Sequence, residues 1–380
     1  MFHVAKKRGR PLLLVLKISE NLQGCHLDII DIETWTSKQL AGLLILGVRS
    51  IDLAIQDFRR ITIGTNIKLH PHFDDPHGSD GYVSPPLEVL RGVYANWRNQ
   101  GADGVSRFNW AYARGKVQQA AAKAARLLGS QAAGEQRWET FFQAYREIGA
   151  PETLAAQDKA FVVPRRGDGH SNVPIPDDWH TPRAHYFKTN AFGQLPVVLD
   201  DQTKVDALIT LQVSDQLTVL ADRISDLTLR VILSDPGTKS LPEKQTIGRA
   251  EIRRYDGGLF WYTTPLTRDI VKHLEVRLNG GLLREPVVED GWLVFRPDPK
   301  QFAVKINLVG IVPKGPAGTT DDKKLPPQWW VDMNELKLKA VRTMPFRPPA
   351  VPLLRLKSSI CTSSTVVNDY HRKGKLNSRI

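Results

Sequence analysis

The sequence predicts an α/β region followed by an all-β one: about four βα units, enough for half of a closed barrel, and then an antiparallel β-sandwich. Three observations predict this. Over residues 1–150, short apolar runs alternate with amphipathic stretches of helical period, the pattern of parallel strands joined by right-handed crossovers. From about Pro151 prolines and short polar turns separate brief alternating runs, which suits antiparallel strands. No Gly-rich phosphate fingerprint follows any early apolar run, which disfavours a dinucleotide-binding sheet and leaves the barrel. A whole barrel takes about 250 residues, so the first region supplies roughly half.

The elements follow in order. Leu12–Ile18 is the first strand, and a long loop holding Cys25, His26 and Asp28 follows it. Ile32–Leu40 is a short helix capped by Asp31, and Leu43–Gly47 is the second strand. Asp52 can cap a helix over Leu53–Arg60. Asn66–Phe73 is the third strand, followed by a loop rich in Asp, Gly and His. Pro85-Pro86 opens a helix that reaches Asn99, since proline suits a first helical turn, and Gly101 stops it. Asp103–Trp110 is the fourth strand. Two helices, Gly115–Leu128 and Glu135–Ile148, finish the region. The later strands are Ala207–Val213, Thr228–Ser234, Thr246–Tyr255, His273–Leu278, Trp292–Arg296 and Val304–Ile311. Asn279-Gly280 is a strong hairpin signal. These readings divide the chain into 1–150, 151–315 and a loosely ordered Pro-rich, basic tail over 316–380, which packs back in part through Trp329 and Trp330.

Composition narrows the function classes. The chain has 380 residues, and its two cysteines, Cys25 and Cys361, lie near opposite ends; this excludes a disulfide scaffold and a Cys-based zinc module. No apolar run approaches the roughly 20 residues needed to cross a bilayer, and Pro11–Ile18 carries Lys17. No small-residue cleavage site follows that run, so the location expected by default is cytoplasmic. The net charge of +12 favours anionic partners but says nothing about fold, and much of the excess falls in two terminal stretches that read as solvated tails. Arg8-Gly9-Arg10-Pro11 matches the core of a minor-groove hook, yet it runs directly into a strand, and nucleic acid is the disfavoured partner.

In βα architectures functional groups gather at the carboxyl ends of the strands. The groups there are Glu20, His26 and Asp28 after the first strand and Arg49, Ser50 and Asp52 after the second. His70, His72, Asp74, Asp75, His77 and Asp80 belong to the third, and Asn109, Trp110 and Tyr112 to the fourth. Alternation puts Lys68, His70, His72 and Asp74 on one face of the third strand, and Ile67, Leu69 and Phe73 on the other. A row of polar side chains aimed at a barrel axis is costly unless a ligand, water or neighbours satisfy it. A carboxylate there, opposite another about 5 to 9 Å away, suits glycoside hydrolysis, with Asp74 or Asp75 as the carboxylate and His72 tuning it. Asn109 suits sugar hydroxyls and Trp110 a pyranose face, while Trp35 and Trp97 lie on helices as packing residues. His70, Asp28 and Arg49 complete the expected substrate-binding set. A metal held by His70, His72, His77 and an Asp is the lesser reading, and the leading one needs no metal or cofactor.

The runs Gly9-Arg10-Pro11-Leu12-Leu13-Leu14-Val15, Gly24-Cys25-His26-Leu27-Asp28, Asp31-Ile32-Glu33-Thr34-Trp35, Asp74-Asp75, Asp80-Gly81-Tyr82, Pro85-Pro86, Gly101-Ala102-Asp103-Gly104-Val105 and Phe108-Asn109-Trp110 together resemble the second half of a bacterial glycoside-hydrolase-like TIM-barrel family. The resemblance covers about residues 5–150. Leu274–Gly280 and Trp292–Ile311 are similar to galactose-binding jelly-roll domains, which are often appended to glycosidases. The resemblance implies a carbohydrate ligand. It also implies that the units carrying the usual acid/base carboxylate are not among these residues, so that the chain is a truncated product, a second chain completes the barrel, or the protein is not a working hydrolase. A half barrel leaves open strand edges that favour self-association. A non-catalytic carbohydrate-binding or protein-interaction module is the alternative, and a basic nucleic-acid-associated protein the second.

Overall fold

A computed structural model describes residues 6–9, 12–47, 51–74, 87–108, 143–155, 157–163, 194–195, 197–199, 207–234, 252–254, 260–262, 274–289, 292–313 and 329–340. The chain separates into Met1–Val341 and Arg342–Ile380, and the second unit lies outside the described residues.

The first part runs β1 (Val15–Ile18), α1 (Leu22–Leu27), α2 (Ile32–Ser37), β2 (Leu43–Leu46), α3 (Ile55–Thr62), β3 (Lys68–Asp74), α4 (Leu87–Asn99) and β4 (Ser106–Phe108). A helical segment at 143–147 and the short α5 (Pro151–Leu154) follow. All four strands pair in parallel in the order β1-β2-β3-β4. The expected βα alternation is therefore present, with β1 and β2 shorter than their apolar runs.

Local chemistry sets the boundaries. The stretch after β1 is a helix rather than the expected long loop, because the Asn21 carboxamide accepts from the Gly24 amide at 2.6 Å and caps it. Asp31 caps α2 as expected, accepting from Thr34 N at 3.1 Å; the helix ends at Ser37, and Gln39 takes a left-handed φ of 47°. Helix α3 begins two residues later than expected, behind Ala54, with no side-chain cap from Asp52. Helix α4 ends at Asn99, and Gly101 just beyond it has a φ of 102°, open to glycine without strain. Beyond it, Ala102 N donates to Trp97 O, closing the last turn.

One face of the parallel sheet is apolar and covered: Ile18, Leu44, Leu46, Leu69 and Phe73 are buried together with Ile55 and Phe58 of α3 and with Val93 and Trp97 of α4. Asp103 ties the amino-terminal edge. Its carboxylate accepts from Leu69 N at 2.9 Å and from Arg59 at 2.6 Å.

The second part is antiparallel. It comprises β5 (Lys159–Val163), β6 (Val197–Leu199), β7 (Ala207–Val213), β8 (Ile224–Ser234), β9 (Ile252–Arg254), β10 (Phe260–Tyr262), β11 (Leu274–Leu278), β12 (Gly281–Leu282), β13 (Val287–Glu289), β14 (Trp292–Phe295), β15 (Lys305–Pro313) and β16 (Trp329–Ala340). One sheet has the order β12-β11-β15-β7. A larger one has the order β13-β14-β8-β16-β5, with β6 also on β16, and β9 pairs with β10. Inward residues of the two larger sheets share one hydrophobic cluster, including Leu211, Leu229, Val309 and Leu336. Asn279 and Gly280 both have positive φ, 51° and 84°, and join β11 to β12 in the turn that favours this dipeptide.

Five strands have no counterpart among those expected from sequence: β5, β6, β10, β13 and β16. The tail was expected to be loose from Pro313, but Trp329–Ala340 forms a strand between β8 and β5. Its Leu336 and Leu338 are buried while Lys339 is exposed. The expected helix Gly115–Leu128 and most of Glu135–Ile148 lie outside the described residues.

The two parts meet along α4. Gly92 lies so close to β5 that a Cβ there would collide with the Ala160 carbonyl. Arg91, 8% exposed, makes a forked pair with Glu147 at 2.7 and 3.0 Å and also donates to Asp158 O.

Candidate functional site

The carboxyl ends of β1, β2 and β3 carry the candidate site. Pairing aligns Lys17 with Ile45 and His70, and Ile18 with Leu46 and Pro71. The next row up therefore runs through Ser19, Gly47 and His72, and His72 is paired with Ser106 of β4. Side chains two apart share a face, so Lys17, Ser19, Ile45, His70 and His72 lie on one side of the sheet. This is the polar face expected from β3, and its opposite face carries the core.

Lys17 and His72 meet on that face. Lys17 Nζ donates to His72 Nε2 at 3.1 Å. Neighbouring strands are about 4.8 Å apart, so the lysine stem reaches past Ile45 of the intervening strand. His72 is 3% exposed, and its pKa is pushed down to about 3, first by burial and then by the Lys17 charge. At neutral pH it is an uncharged imidazole. It can orient a neighbour through hydrogen bonds, but it has no proton to give as an imidazolium acid.

Glu20 adds a carboxylate. It directly follows the Ser19 that ends the row, is 3% exposed, and accepts from Ser19 Oγ at 3.3 Å. Gly47, with a φ of 87°, has Leu53 Cδ2 nearest to where a Cβ would stand, at 2.6 Å, and Glu20 Cγ at 3.7 Å. A cation, a hydroxyl and a carboxylate at the end of β1 and a neutral imidazole near the end of β3 thus flank the end of β2. Such a set can donate to and accept from a hydroxyl-rich ligand.

His70, one row below His72, is half-buried, and its pKa is lowered by burial against the opposing pull of Asp103. Its ring fills the space left by Gly104, where a Cβ would overlap it. Asp28 is the C-cap of α1, and burial raises its carboxyl pKa. Asp74 is the last residue of β3 and pairs in register with Phe108. Asp75, Arg49, Asn109 and Trp110, all expected to serve the site, lie outside the described residues, as does His77. Trp97 is 1% exposed and donates its indole N–H to Ile51 O at 3.1 Å, a packing role. Among the described residues no three His, Cys, Asp or Glu side chains gather as metal ligands, and no helix is long and apolar enough to cross a membrane. The buried Cys25 thiol is pushed up to about 12, mainly by desolvation.

Sequence reasoning passed over Lys17, treating it only as a charge inside an apolar run. Its signal was the alternation Leu16-Lys17-Ile18, which puts it on the face of His70 and His72 once β1 and β3 share a sheet. Glu20 stood among the strand-end groups without being chosen as a site carboxylate.

No protein-family model matches the chain, and no curated protein matches it.

Proposed function

We propose that the parallel region is part of a TIM barrel of the glycoside-hydrolase-like kind, that the antiparallel sheets form a β-sandwich beside it, and that the carboxyl rim of the barrel region binds carbohydrate. The observation carrying this reading is the strand order. Four parallel strands in consecutive order suit a barrel, whereas a doubly wound sheet reverses its order at a switch point. The polar groups of that sheet lie at its carboxyl end, where barrel chemistry gathers.

Glu20 follows β1 and Asp74 ends β3. With one strand between, the backbones of those ends stand roughly 10 Å apart, and an inverting mechanism needs carboxyl groups about 6.5–9.5 Å apart. In this reading Glu20 and Asp74 are the carboxylates, Lys17 and His72 hold ligand hydroxyls, and Asp75, Asn109 and Trp110 complete the site.

The test is a glycan array probed with the full chain, followed by reducing-sugar release from each glycan that binds. Binding that falls about tenfold or more in Glu20→Gln and Lys17→Met supports the rim. Release that is lost in Glu20→Gln or Asp74→Asn assigns hydrolysis, and binding without release assigns a recognition module. An array with no bound glycan, or binding indifferent to both rim variants, refutes the proposal.

A further inference from the structure

A polar cavity lies between α4 and the edge of β7, with Ile51, Asp52 and Leu53 from the stretch after β2 also along its wall. It has a volume of about 50 Å³, and its wall includes Asn96, Gln100, Gln194, Thr210 and Gln212. A smaller cavity of about 10 Å³ adjoins it, sharing Asn96, Gln100 and Gln212 and adding Ser214. A cavity of roughly 10–15 Å³ holds one water. The larger space therefore takes several, or one hydroxylated edge of a small molecule, and the smaller takes a single hydroxyl.

The lining is rich in carboxamides whose hydrogen bonds are only partly used. Gln100 Nε2 donates to Gln212 Oε1 at 2.6 Å, which leaves Gln100 Oε1 as an acceptor and Gln212 Nε2 as a donor. Ser214 Oγ is buried and has no hydrogen-bond partner. A buried hydroxyl without a partner costs free energy, and the cost is recovered when something polar enters. Asp52 lines the larger cavity and Lys305 the smaller, so an anion meets a like charge in one and a cation in the other, while Gln100, Gln212 and Ser214 are uncharged. A neutral molecule with neighbouring hydroxyls matches the pattern, because each hydroxyl both donates and accepts.

We infer that this cleft is a binding site for a neutral, hydroxyl-rich small molecule, glycerol or one edge of a hexose, with Gln100, Gln212 and Ser214 as its polar contacts. Its polar contacts are other residues than those of the rim, and it does not depend on the rim reading.

The test titrates the full chain with glycerol, D-glucose and D-galactose, with D-glucuronate as the charged comparison, by saturation-transfer NMR and calorimetry. Saturable binding of a neutral ligand is expected, with glucuronate weaker. Ser214→Ala is the decisive variant: its hydroxyl bonds to nothing in the protein, so the thermal midpoint should hold while affinity drops about tenfold. Gln100→Leu should weaken binding by a similar factor, and Glu20→Gln should leave it unchanged. No saturable binding of any neutral ligand overturns the inference. So does binding that is unmoved by Ser214→Ala and Gln100→Leu. Binding lost only in Glu20→Gln transfers the ligand to the rim.

Discussion

Asn96 of α4 bonds the backbone of both Gln212 and Ser214 at the edge of β7. Its amide donates to Gln212 O at 3.0 Å, and its carbonyl accepts from Ser214 N at 3.0 Å. Gln194 does the same one step along, donating to Thr210 O at 3.0 Å and accepting from Thr210 N at 2.6 Å. A carboxamide has the donor and acceptor of a peptide group, so two side chains stand where another strand would pair. Open edges invite pairing with a second chain, and this one is closed by side chains.

Replacing Asn96 with Leu should therefore act on both stability and association. Unfolding in urea should show a loss of about 1–3 kcal/mol from the stranded backbone groups. Sedimentation should show a larger concentration-dependent species than in the parent. A monomeric variant of parental stability would contradict the edge-capping role.

Gly92 predicts a steric effect. A methyl group there meets the Ala160 carbonyl, part of the β5 backbone, which cannot rotate away as a side chain would. In an exposed helix Gly→Ala stabilises by about 1 kcal/mol. Here Gly92→Ala should instead destabilise by about 1–3 kcal/mol, read as a lower thermal midpoint. A raised midpoint would mean that α4 and β5 do not approach so closely.

The forked pair of Arg91 and Glu147 has its two side chains 9% and 15% exposed. Removing one partner leaves the other charge partly buried, so Arg91→Leu should cost about 3–5 kcal/mol. The double variant Arg91→Leu with Glu147→Leu should recover much of that loss. Additive losses in a double-mutant cycle would show that the two side chains do not act together.

His72 sets a pH dependence. Its folded pKa of about 3 lies below the ordinary 6.5, so between those values the unfolded chain binds a proton that the folded chain refuses. Stability therefore falls as pH drops from 6.5 toward 3, and is regained as pH rises. Urea unfolding at neutral pH and midway through that window should show a slope, which His72→Phe reduces. Ring resonances of folded His72 that titrate near 6.5 would refute the burial argument.

Much of this is legible in the sequence. The Asp31 cap needs one carboxylate three residues before a free amide, and the Asn279-Gly280 turn needs two residues that tolerate positive φ; both are local, and both are seen. Alternation along Lys68, His70 and His72 separated the polar face from the buried Leu69 and Phe73. The loop expected at Cys25 failed because the Asn21 cap, a single side chain, outweighed a polar-looking run. The strand Trp329–Ala340 was hidden because Pro-rich sequence precedes it, and because its partners β8 and β5 lie far away in the chain.

Residue order alone determined which stretches could be strand, helix or turn, since caps, periodicity and turn preferences act over a few neighbours. Tertiary structure decided which strands became neighbours, that Lys17 reaches His72 across β2, and that amides of α4 close the edge of β7. Those contacts join residues 55 and 116 positions apart, and only chain-wide packing chooses among pairings so distant.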